Sequence, residues 1–193
     1  PNFEYLTAES NLQGAAARFR LIPHWPELLP SEQLAYLDLL RRGITRNLYT
    51  GTRLKEIEAN LTPHFPNSDP AINQALAPIL IGMNEAKAVP ITVKLLDAST
   101  DQHERILFLY HLRHAKAGWT ADSRRIFFRI LGTYDTFLGG RGLPQSLRKI
   151  RNEAEATLSE AEKKSLAKVL QQKPKLPQLP DLTGRTLVKQ WKP

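Results

Sequence analysis

The sequence predicts an all-α protein, a HEAT-like α-solenoid, and three observations carry that expectation. Apolar residues recur at helical spacing along most of the 193-residue chain. No segment shows the strict two-residue alternation between turn signals that marks a strand. Two helix pairs in the middle of the chain match each other at offsets of 32 and 35 residues. A single helical hairpin leaves one apolar face uncovered, so such pairs stack and bury a shared core. Residues 1–172 are therefore expected to form one helical-repeat domain, and 173–193 an extended Pro-rich tail or linker.

The elements follow in order. A first amphipathic helix is expected within residues 7–21, stopped by Pro23 and Pro26, which cannot continue it. A second opens after Pro30 with Ser31 as N-cap, buries Leu34, Tyr36, Leu37, Leu39 and Leu40, and closes near Gly43. A short polar helix lies within residues 46–65. Asp69 followed by Pro70 is a strong start, because the carboxylate accepts free amide donors and proline suits the first helical position. Thr100 and Asp101, with Glu104 beyond, resemble a capping box.

Laying Asp101 over Asp69, an offset of 32, places Phe108 over Leu76 and Leu112 over Leu80. The partner helices, within 85–96 and 120–131, match at 35 through Leu95 and Leu96 over Ile130 and Leu131, because "KAGW" lengthens the second connection. Pro78 and Pro90 are expected to kink these helices. After the glycine-rich "GTYDTFLGGRGLPQ", Pro144 opens another helix, and Ser159 with Glu162 forms a capping box for "EAEKKSLAKVLQQ". From Lys173 the frequent prolines favour an extended strap, with Leu176, Leu179, Leu182, Leu187 and Trp191 as docking points.

Composition excludes several functions. The absence of cysteine rules out disulfides, thiolate metal sites, iron–sulfur clusters and thioether-linked haem within the chain. The longest apolar run, "AINQALAPILIGM", is too short for a membrane span. The net charge of +8 is concentrated, since residues 101–151 hold ten Lys and Arg against four acids. That surplus marks a candidate partner-binding face of Arg113, Lys116, Arg124, Arg125, Arg129, Arg141, Arg148, Lys149 and Arg151.

Candidate chemistry centres on "YHLRHAKAGWTADSRRIFFRIL". His111 and His114 share a helix face, but His103 falls roughly 80° away around the wheel and no further ligand is near. One histidine is expected to line the helix packing and the other to cap the last turn with Arg113. Trp119, just before the N-cap Thr120, fits a hydrophobic staple on the first helical turn. An enzyme pocket requires His111, His114 and Trp119 to converge. "GGRG" lacks the Gly-Lys-Ser/Thr ending of a phosphate loop and follows no strand, so it reads as a turn. No catalytic residue, metal ligand or cofactor-binding residue stands out.

The phrases "DPAINQALAPILIGM", "YHLRHAKAGWT", "GGRG", "SLRKIRNEAEATLSEAEKKSLA" and "GRTLVKQW" resemble the helical-repeat region of large secreted proteins of planctomycete and verrucomicrobial type. In that family a membrane-bound-dehydrogenase-like β-propeller precedes HEAT-type repeats and a c-type cytochrome domain follows. The resemblance runs over residues 69–191, and departs after the double glycine, where the family has a longer aromatic-containing phrase. It implies a periplasmic or secreted segment, beginning here at Pro1, that serves as a noncatalytic scaffold between redox domains, with haem confined to a partner or adjacent domain. The alternative is a cytoplasmic nucleic-acid-binding protein of the DNA-repair glycosylase kind, holding phosphates on its basic face.

Overall fold

The computed structural model describes residues 25–133, 136–140 and 142–172. The helix expected within 7–21, the tail 173–193 and Arg141 lie outside them. Among the described residues the protein is all-helical, with nine α-helices and no strand.

Helix α1 spans Pro30–Thr45. Its N-cap is Leu29 rather than the expected Ser31, because Pro30 takes the first helical position, where a missing N–H costs nothing. The Glu32 carboxylate then accepts the Leu29 N–H at 2.9 Å. The helix runs past Gly43, whose hydrogen lies against the Tyr49 ring; a Cβ there would overlap that ring. Helix α2, Thr52–Leu61, is the expected short polar helix, followed by the 3-10 turn Thr62–His64.

Helix α3 spans Pro70–Gly82, with the Asp69 carboxylate accepting the Ala71 N–H at 2.8 Å. Seven of its residues are buried, on more than one face, as suits a helix with neighbours on several sides. Pro78 lies inside it, whereas Pro90 falls in the first turn of α4, Ala88–Ala98, where no helical N–H is required. Pro90 therefore opens a helix instead of kinking one.

Helix α5, Gln102–Leu112, is capped by Asp101, which accepts the His103 N–H at 2.8 Å. Glu104 does not close the expected box. Its carboxylate accepts the Ser99 hydroxyl at 2.5 Å, and that hydroxyl in turn accepts the Asp101 N–H. Helix α6, Ala121–Leu131, starts from a Thr120–Ser123 capping box. Helix α7 is Leu143–Glu155, with Pro144 in its first turn. The Ser159–Glu162 box opens α8, Glu160–Ser165, as expected, but the helix breaks at buried Leu166 before α9, Ala167–Leu170. The break lets α9 pack against α6.

From α1 to α7 the packing joins helices two apart, and α9 reaches back to α6. α1 packs on α3, α3 on α5 and α5 on α7, while α4 packs on α6 and α6 on α9; α3–α4, α4–α5 and α6–α7 tie the two rows together. The core lies between the rows. Leu76, Leu80, Phe108 and Leu112, paired by the 32-residue offset, are all at most 1% exposed. Burying a side chain of this size contributes about 2–3 kcal/mol. The long connection before α6 lies against the α3–α4 connection, with Gly118 at φ +81 and no room for a Cβ beside the Ala86 carbonyl. Only glycine suits both the angle and the approach.

Candidate functional site

The basic quarter of the chain divides into residues that hold the molecule together and residues that face water. Arg124 belongs to the first group. It is 7% exposed, and its guanidinium lies 4.2 Å from the Trp119 ring centroid. It donates to the Thr157 hydroxyl at 3.1 Å, and its Nε stands 3.4 Å from the Glu162 carboxylate, an ion pair without hydrogen-bond geometry. Trp119 donates its indole N–H to the Ala115 carbonyl at 2.9 Å and meets Phe127 edge to face. The expected staple thus exists, in a cationic form: tryptophan before the cap, arginine at the fourth helical position.

Burial pushes the Arg124 guanidinium pKa down from its ordinary value, and the neighbouring Glu162 opposes that. Glu162 itself is held below the usual carboxylate range, first by the Ser159 N–H, then by the Ser159 hydroxyl, with Arg124 adding to them.

Arg151 is likewise 7% exposed. It pairs with Glu155 at 2.6 Å and donates to the carbonyls of Leu170 at 2.6 Å and Gln172 at 2.8 Å. A cation on terminal helix carbonyls satisfies acceptors that lack intrahelical donors. Arg113 is half-buried. It lies 3.6 Å from the Tyr110 ring centroid, donates to the Tyr110 carbonyl, and pairs with Glu153 on α7 at 2.6 Å.

The exposed group is looser. Arg125 pairs with Asp122 at 2.7 Å, Arg129 with Asp97 on α4 at 2.6 Å, and Lys149 lies 3.9 Å from Glu153. Lys116 and Arg148 are exposed and have no ion pair among the described residues. The eight of these nine sequence-predicted residues that are described are therefore divided between internal ties and exposed positions.

His111, His114 and Trp119 have three different surroundings. His111 faces a small recess of about 200 Å³ between α1, α3 and α5, beside Leu37, Gln74, Pro78 and Leu107. Burial pushes its imidazole down to about 4, and Arg113 and then Arg41 act the same way. His114 is largely exposed, 3.4 Å from Glu153. Trp119 lies under Arg124. One histidine thus lines helix packing as expected, while the other meets a carboxylate of α7. No group of three or more His, Cys, Asp or Glu residues among the described residues is placed to hold a metal. None of the described helices is long and apolar enough to cross a membrane.

A larger concavity lies elsewhere, away from the basic quarter and the histidines. A cleft of about 650 Å³ opens between α2 with its following 3-10 turn and the start of α4. Ala59, Pro63 and Ile91 give it apolar surface, and Lys55, Glu58 and Lys87 give it charge. The signal was spacing: Lys55, Glu58, Ala59 and Thr62 fall at one helix face, as do Lys87 and Ile91.

The chain has no significant match among protein-family models, curated proteins or solved structures.

Proposed function

We propose that the chain is a noncatalytic HEAT-like repeat scaffold, a docking segment of a larger secreted electron-transfer protein whose β-propeller and c-type cytochrome domains it joins. One observation carries the repeat reading. Polar ties between successive helix pairs recur at about one repeat length: Asp97–Arg129 are 32 residues apart, Arg124–Thr157 33, and Gln102–Leu138 36. The packing of helices two apart supports the same reading, because stacked hairpins contact their neighbours in just this order. The scaffold role is supported by the use of Arg113, Arg124 and Arg151 as internal ties, and by the separate surroundings of His111, His114 and Trp119. The secreted redox context rests on the resemblance of the sequence phrases.

Co-purification from the source organism tests it. A chain that isolates with a haem-bearing or propeller-bearing companion, or as part of a larger polypeptide containing them, supports the scaffold. A chain isolated alone, without any such companion, refutes it. Affinity for duplex DNA that falls steeply with salt would put the nucleic-acid alternative in its place.

A further inference from the structure

We propose that the cleft between α2 and the start of α4 is a docking site for a short acidic segment of a partner domain, bearing a leucine or phenylalanine. This rests on the scaffold reading and names the chemistry of one contact. Lys55 stands on the α2 wall and Lys87 at the start of α4, both exposed. Neither ammonium has an ion-pair partner among the described residues. The same cleft carries apolar surface from Ala59, Pro63 and Ile91, with buried Phe65 at its floor.

The local donors decide what the lysines recognise. The Lys87 and Ala88 N–H groups at the α4 start are already taken by the Glu85 carboxylate, at 2.5 and 2.9 Å. Recognition therefore falls to the ammonium groups, which act as point charges on flexible stems. Glu58 also lines the cleft, so its net charge is only slightly positive. A polyanion such as duplex DNA would carry phosphates past Glu58 and meet repulsion there. A segment whose two carboxylates flank an apolar side chain matches both lysines and the apolar surface of the cleft. The cleft volume of about 650 Å³ is ample for one or two such side chains.

The test uses the full chain and two fluorescein-labelled peptides, one alternating glutamate with leucine and one alternating lysine with leucine, read by fluorescence anisotropy. The acidic peptide is expected to bind and the basic one to bind far more weakly. Lys55→Glu with Lys87→Glu should weaken the acidic peptide about tenfold or more, and the milder Lys55→Ala with Lys87→Ala severalfold. Lys164→Glu with Lys168→Glu changes net charge equally at a remote end and should leave affinity within about twofold. Circular dichroism on each variant verifies the helical content.

Equal binding of both peptides, no binding of the acidic one, or an equal loss in the remote variant overturns the cleft assignment. The scaffold reading is judged separately. If a haem-bearing companion still binds the chain carrying Lys55→Glu and Lys87→Glu as tightly as before, the cleft assignment falls and the scaffold stands.

Discussion

Arg124, Arg125 and Arg129 look alike in sequence, yet the structure predicts very different consequences on truncation. Arg124→Ala removes a cation over the Trp119 ring at 4.2 Å, a hydrogen bond to Thr157 at 3.1 Å and a 3.4 Å ion pair with Glu162. A partly desolvated cation–π contact contributes about 1–2 kcal/mol and a charged hydrogen bond about 1.5. The ion pair adds about 0.5, because Glu162 is partly exposed. These terms are not additive, and a total of about 3 kcal/mol is expected. For a chain of this size that lowers Tm by about 6–12 °C. Arg125→Ala loses only a surface pair with Asp122 and should shift stability by about 0.5 kcal/mol or less.

Thermal unfolding followed by circular dichroism at neutral pH reads both variants. A double-mutant cycle between Arg124→Met and Trp119→Leu should return a coupling of about 1 kcal/mol. If Arg124→Ala and Arg125→Ala move Tm equally, or the cycle shows no coupling, then Arg124 is not the internal tie described here. The same reasoning bears on the nucleic-acid alternative: reversing all three arginines together mixes loss of stability at Arg124 with loss of binding, so only Arg125 and Arg129 are informative there.

Other outcomes follow from single positions. His111 is held down to about 4, below the value of an unfolded histidine, so the fold favours its neutral form. Its contribution is fully present above about pH 6.5 and is lost as pH falls toward 4. After reduction for the partial exposure of the ring this amounts to about 1–2 kcal/mol. His64 is also lowered by burial, so urea midpoints of wild type and His111→Asn compared at pH 7 and pH 4.5 isolate the His111 share; parallel pH profiles would contradict it. Gly118→Ala, at φ +81 against the Ala86 carbonyl, should cost about 3 kcal/mol, while Gly140→Ala, in open space, should cost almost nothing. Asp69→Ala removes the α3 cap and should cost about 1 kcal/mol in chemical denaturation; an unchanged midpoint would show that the cap does not matter.

The helix starts were legible because capping is local. Asp69, Asp101, Thr120 and Ser159 each bond an amide two or three residues ahead, so the sequence window contains the whole interaction. Leu29 displaced Ser31 because the Pro30 preference for the first helical position outweighs a hydroxyl cap. The break at Leu166 was not legible, since it depends on α9 reaching α6 through space. The fates of the arginines were half legible. Arg124 lies at the spacing of Phe127, Phe128 and Leu131, and Arg151 at that of Leu147, Ile150 and Ala154, so each occupies the apolar face of its helix. What the spacing does not show is the distant partner, Trp119 with Thr157 in one case and the terminal carbonyls of Leu170 and Gln172 in the other.

A surplus of charge in a sequence is an electrostatic footprint only after the inward-facing members are removed. Of the ten cations in residues 101–151, Arg124 and Arg151 are buried and Arg113 is half-buried against Glu153, so three serve adhesion between helices. Arg129 is outward-facing but spends its charge on Asp97, across to α4. A cation with a carboxylate partner exchanges that partner when it binds a ligand, and the exchange cancels most of the Coulomb gain at surface dielectric. Cations without carboxylate partners face no such cancellation. Lys55 and Lys87 are of that kind and flank a concavity. Charge count alone points to residues 101–151; unpaired charge beside accessible apolar surface points to the α2–α4 cleft, and association energies depend on the second quantity.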